Sequence, residues 1–179
     1  MKTKKTKVVL KMVYSAVCLA LALILPFFIG QIPQIGSMLS PMHIPVFLCG
    51  FLCGPIWGLG VGFIAPLLRS AMFGMPPFPN AALPMAFELL TYGAISGLAL
   101  NLLPKKKINI WISLLIAMVS GRIVWGIAKL ILFMAFGVQF SWAMFLSGAV
   151  TSAIPGIILH LILVPVIIIA MQRAKLTIE

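Results

Sequence analysis

In an otherwise apolar chain, few side chains have the type and spacing to do chemistry. Glu88 lies in "MAFELLTYG", and Arg122, Trp125 and Lys129 lie in "GRIVWGIAKL". Glu88 is the only internal carboxylate, since the other acid, Glu179, is the last residue of the sequence. On a helix, positions 122, 125 and 129 recur at i, i+3 and i+7 and form one stripe. A charged side chain at the centre of a membrane helix costs about 2.5–3.5 kcal/mol on insertion scales, so each of these groups needs a partner or water. Two readings stand side by side. A Glu88–Lys129 or Glu88–Arg122 pair would fix helix register. Alternatively, a polar cavity open to the outside receives a ligand. Arg69, Arg122 and Lys129 face a single acid, so an anionic ligand would complete the site unless Arg69 and Lys129 snorkel to the surface.

Other polar residues carry less. His43 with Cys49 and Cys53 lacks an obvious fourth ligand, so no metal and no cofactor is expected. Cys18, Cys49 and Cys53 all fall in apolar segments and read as packing residues. Ser147 and Thr151 share a helix face and would either line a cavity or bond to their own helix. His160 reads as a hydrogen-bonded core residue in the inner half of the last helix. H-E-x-x-H, G-x-S-x-G, a phosphate-binding loop and paired carboxylates are all missing. The expectation is a protein that is not an enzyme.

The elements that must position these residues follow from composition. The 179 residues are 63% hydrophobic and 8% charged, with a mean hydropathy of +1.21. That is an integral membrane composition, with little chain left for a soluble domain. Apolar and polar residues do not alternate as in outer-membrane barrels, so the fold class is all-α, a single domain over 1–179. Ten of the thirteen cations behind the net charge of +11 sit at segment ends. Lys2, Lys4, Lys5, Lys7 and Lys11 form one basic cluster, Lys105 to Lys107 a second, and Arg173 with Lys175 a third. Each flanks an apolar run and none is interleaved with aromatics, which argues for topology signals rather than a nucleic-acid surface. The opening thirty residues resemble a signal peptide, but the long apolar core without an A-x-A site reads as a retained first helix.

Breaks at 30–41, 74–80, 101–109 and 137–141 leave segments of about 8–29, 43–73, 81–100, 110–136 and 142–172. The second is too long for one span of about 20 residues. It contains "CGPIWG", where Gly54 and Pro55 break a helix into 43–53 and 55–73. Only six spans place all three basic clusters on the cytoplasmic side, with both termini inside. Gly50, Gly54, Gly58 and Gly62 form a small-residue ridge, echoed by Gly93 and Gly97. The first outer loop mixes Gln31, Gln34, Ser37 and His43 with apolar residues, and either folds over a cavity as a lid or lies at the membrane interface.

Six spans in about 180 residues, inside termini, Ala16-x-x-x-Ala20, and the run "PMHIPVFLCGFLCGPIWGLGVGFIAPLLRSAMFGMPPFPNAALPMAFELLTYGAISG" together resemble the S component of an energy-coupling-factor (ECF) vitamin transporter. Within that superfamily the chain is most similar to the branch with pantothenate, folate and riboflavin-type members. The resemblance implies a subunit of the bacterial cytoplasmic membrane that captures a vitamin at the extracellular face. It would dock on a transmembrane coupling (T) protein driven by two cytosolic ATPases, which hydrolyse the ATP. It implies docking through Ala16 and Ala20. It implies a pocket from the outer halves of the fourth to sixth helices under the first outer loop, hence Glu88, Tyr92, Arg122, Trp125, Lys129, Asn80, Gln34 and His43. The cationic excess favours a carboxylate-bearing vitamin, pantothenate first. With Trp125 and Tyr92 as the main aromatics, flat multi-ring ligands are disfavoured. The alternative function is a self-sufficient small oligomeric transporter or channel.

Overall fold

The computed structural model describes residues 4–29, 39–104, 106–136 and 154–177. The expectations for Gln34, for Ser147 and Thr151, and for positions 142–153 of the last span lie outside the described residues. Among the described residues six helices follow in order: α1 Lys4–Ile29, α2 His43–Cys53, α3 Pro55–Phe73, α4 Ala82–Leu102, α5 Ile108–Phe136 and α6 Ile154–Arg173. Among the described residues there is no strand.

Gly54 makes the expected turn between α2 and α3. Its φ of 97° lies in the region open to glycine, and its N–H closes α2 on the Gly50 carbonyl at 3.1 Å. Pro55 then opens α3, where a missing N–H leaves nothing unpaired. Five of the helices are long and apolar enough to cross a membrane. The exception is α2, whose 11 residues rise about 16 Å against a hydrocarbon core of about 30 Å. The second pass is thus a half-length helix that begins inside the protein. Pro41 precedes it, Ser40 is held at a φ of 46°, and Met42 and His43 are buried.

Packing centres on α4, which contacts α2, α3 and α5, while α1 lies against α2 and α3. The glycine ridge is real but divided between two helices. A β-carbon at Gly50 or Gly58 would overlap the Gly93 backbone, and one at Gly62 would overlap the Leu89 backbone. Gly97 lies equally close to the Gly50 carbonyl. Without a hydrophobic drive between helices in lipid, such backbone contact is what holds them together. Gly54, expected on this ridge, belongs to the turn instead.

One end of the bundle collects the basic groups. Lys11 reaches the Gly54 turn, and the Tyr14 hydroxyl donates to the Leu176 carbonyl at 3.0 Å. The start of α1, the α2–α3 turn and the end of α6 therefore share this end, which the positive-inside rule makes cytoplasmic.

Candidate functional site

Helix rise brings the polar residues to one level. Glu88 lies fourteen residues before the end of α4, Arg122 fourteen after the start of α5, and His160 thirteen before the end of α6. At about 1.5 Å per residue, each stands roughly 20 Å from the basic end. The short α2 puts His43, its first residue, about 16 Å above Gly54, close to the same layer. Four helices thus converge on one buried polar cluster.

Glu88 is 3% exposed, and its oxygens are engaged. The Tyr92 hydroxyl donates to Oε1 at 2.6 Å, one helical turn along α4. Arg122 Nη1 meets the same oxygen at 3.2 Å, and His43 Nε2 faces Oε2 at 3.9 Å. Short, charge-assisted contacts of this kind offset the loss of water around a buried carboxylate. Aromatic faces enclose them. Phe47 stacks on Tyr92 at 4.7 Å, and His43 stacks on His160 at 5.7 Å with 16° between the ring planes. Gly121 makes room for the Tyr92 ring, since a β-carbon there would strike its edge.

Three buried nitrogens around this cluster lack a hydrogen-bond partner among the described residues: His43 Nδ1, Arg122 Nε and His160 Nε2. Buried polar atoms are paired in all but a small fraction of cases, so three in one layer mark it out.

From Arg122 a cationic stripe climbs α5 toward the outer end. Trp125 has the Arg122 guanidinium 5.7 Å from its ring and the Lys129 ammonium at 5.8 Å. Lys129 donates to the Asn80 backbone carbonyl at 3.0 Å. These distances decide between the two pairings left open by the sequence: Arg122 holds Glu88, and Lys129 holds the loop before α4. Arg69 leaves the cluster. It donates to the Leu23 carbonyl at 2.7 Å and lies over Phe27 and Phe73, between α1 and α3. The cationic excess at the site is therefore one lysine rather than two charges.

Sequence reasoning missed two members. His160 is buried, as expected of a core residue, but it stands about 20 Å from the basic end rather than in the inner half, and it stacks on His43. Phe47 sits one turn after His43 on α2, a spacing that would have placed both on one face once the helix start was known. His43 and the thiols do not meet: Cys49 and Cys53 lie farther down α2, where Cys49 contacts Ser15 at 3.4 Å. Among the described residues, no three His, Cys, Asp or Glu side chains could hold a metal ion. An open hollow of about 210 Å³ at the basic end, lined by Lys11, Trp57 and Asn101 among others, contains none of the buried polar groups.

These features define a class: a helical membrane protein with a buried, multi-helix polar site connected by a cationic stripe to its outer half. The family model "ECF transporter, substrate-specific component" matches residues 10–168, and the chain belongs to that family. No curated protein and no solved structure matches it.

Proposed function

We propose that this substrate-specific component captures a carboxylate-bearing vitamin, pantothenate first, from the extracellular side. The pocket is the Glu88 layer together with the Trp125–Lys129 stripe above it. The observation that carries this reading is the Arg122 guanidinium. One of its nitrogens is held by Glu88, while Nε is buried and has no hydrogen-bond partner among the described residues. A planar donor fixed in this way is suited to a carboxylate. Glu88 then orients Arg122 and Tyr92 rather than contacting the ligand, because Oε1 is shared by both donors.

Uptake would be driven in trans by a transmembrane coupling protein and two cytosolic ATPases in a bacterial cytoplasmic membrane. The docking face is the exposed side of α1, where Ala16 and Ala20 stand one turn apart. Small residues permit close helix approach there.

Native mass spectrometry of the full chain released from nanodiscs, after incubation with pantothenate, tests the substrate. Retention of one pantothenate per chain is expected. Arg122→Gln should weaken that binding at least tenfold, and unchanged affinity would refute the carboxylate reading. Pantothenate flux into liposomes containing this chain alone would refute dependence on partner subunits.

A further inference from the structure

We infer that the ligand presents hydrogen-bond donors, hydroxyl or N–H groups, to His43 Nδ1 and His160 Nε2, while its acceptor end turns to Arg122. The inference rests on the Glu88 layer being the ligand pocket, and it specifies the chemistry of the ligand's buried end.

Two tautomers carry it. A neutral imidazole has one N–H and one bare nitrogen, and its surroundings decide which is which. His43 turns Nε2 toward Glu88 Oε2 at 3.9 Å, so the proton belongs on Nε2, where it faces a carboxylate. Nδ1 is then an acceptor, and it is buried without a donor. His160 is unpartnered at Nε2, while its ring also interacts with the backbone of Ser40. The Ser40 carbonyl accepts the His43 amide at 3.0 Å and retains a second lone pair, so the nitrogen facing it carries the proton. Nε2 of His160 is the second bare acceptor.

Both histidines are 3% exposed, so bulk water does not satisfy these atoms. The Phe47 ring, 5.8 Å from His160 and stacked on Tyr92, offers no donor. A site with buried acceptors selects a ligand that supplies donors and rejects its deoxy analogue, because the analogue leaves those acceptors unpaired. A small hydroxylated acid fits, entering with its hydroxyls toward the stacked imidazoles and its carboxylate toward Arg122. A flat, donor-poor ring does not.

The test uses the full chain in lipid nanodiscs with ¹⁵N-labelled histidine. Imidazole ¹⁵N shifts should report the Nε2–H tautomer for His43 and the Nδ1–H tautomer for His160. The opposite tautomer, or a doubly protonated ring with no bare nitrogen, at either histidine would overturn the inference, whatever the ligand proves to be. Equilibrium binding then compares pantothenate with its analogue lacking both hydroxyls. The wild type should prefer pantothenate by about tenfold or more, and His43→Phe or His160→Phe should reduce that preference to under about threefold. Equal binding of the two compounds to wild type would also overturn the donor inference, while leaving the carboxylate pocket standing. Inferred tautomers without any pantothenate binding would remove pantothenate from the proposed function and support the donor requirement for another hydroxylated ligand.

Discussion

Arg122 and Glu88 are coupled partners, so their substitutions should not add. Arg122→Gln leaves Glu88 buried with the Tyr92 hydroxyl as its one close donor. Breaking a buried ion pair from one side costs about 3–5 kcal/mol, and the quarter exposure of the Arg122 side chain places it toward the lower end. Glu88→Gln/Arg122→Gln removes both charges, and should unfold at a higher temperature than Arg122→Gln in the same detergent. If the double variant melted lower, Glu88 would not depend on Arg122. Tyr92→Phe deletes one hydrogen bond to a carboxylate, a loss of about 1.5–3 kcal/mol, read from the same melting curves. At this scale much was legible in the sequence. The stripe Arg122–Trp125–Lys129 follows from spacing within one helix, and Glu88 stood out as the lone internal acid. His160 was not legible, because its height relative to Glu88 depends on where separate helices begin, and no local spacing encodes that. Arg69 misled the charge count for a similar reason: its partner is a carbonyl on α1, distant in sequence and silent in composition.

Among the helices, α4 is held by glycines that bring backbones into contact, and their substitution should separate two classes sharply. Gly93 and Gly58 face each other across α3 and α4 with no room for a methyl group. Gly93→Ala must push the helices apart, loosening Leu89, Tyr92 and the Glu88 level with them. A loss within the usual range for overpacking, about 1–3 kcal/mol, is expected in thermal unfolding, together with weaker ligand retention. Gly60 is also on α3, yet a β-carbon there meets nothing within 4 Å. Gly60→Ala should therefore be neutral, or stabilising by up to about 1 kcal/mol through helix propensity. Similar losses for both would mean that the seam is not a close packing contact. The four-residue glycine period predicted such a seam. The turn at Gly54 and the 11 residues of α2 were legible from a different signal, the Gly54–Pro55 pair that breaks the 43–73 run. Helix rise over the eleven residues between the Gly54 turn and His43 then brings His43 level with Glu88.

For the whole molecule, the proposed ligand capture and partner docking should be separable, because the residues proposed for them lie on different faces. The Glu88 layer draws its residues from α2, α4, α5 and α6, whereas Ala16 and Ala20 are exposed on α1, which packs against α2 and α3. The buried side of α1, including Cys18 and Ala22, turns inward and would be untouched by a change at position 16. A tryptophan placed there projects into lipid or into an approaching helix, not into the core. Ala16→Trp should therefore keep pantothenate affinity within about twofold of wild type. Its ATP-driven uptake, measured in proteoliposomes with the coupling protein and both ATPases, should fall at least tenfold, because a bulky side chain prevents the close approach that small residues allow. Ala16→Gly keeps the face small and should retain transport, which separates the size of the side chain from any effect on α1 itself. Full uptake by Ala16→Trp would exclude this face as the docking surface. Loss of binding and uptake together would show instead that α1 supports the ligand layer, and that the two functions are not divided between faces.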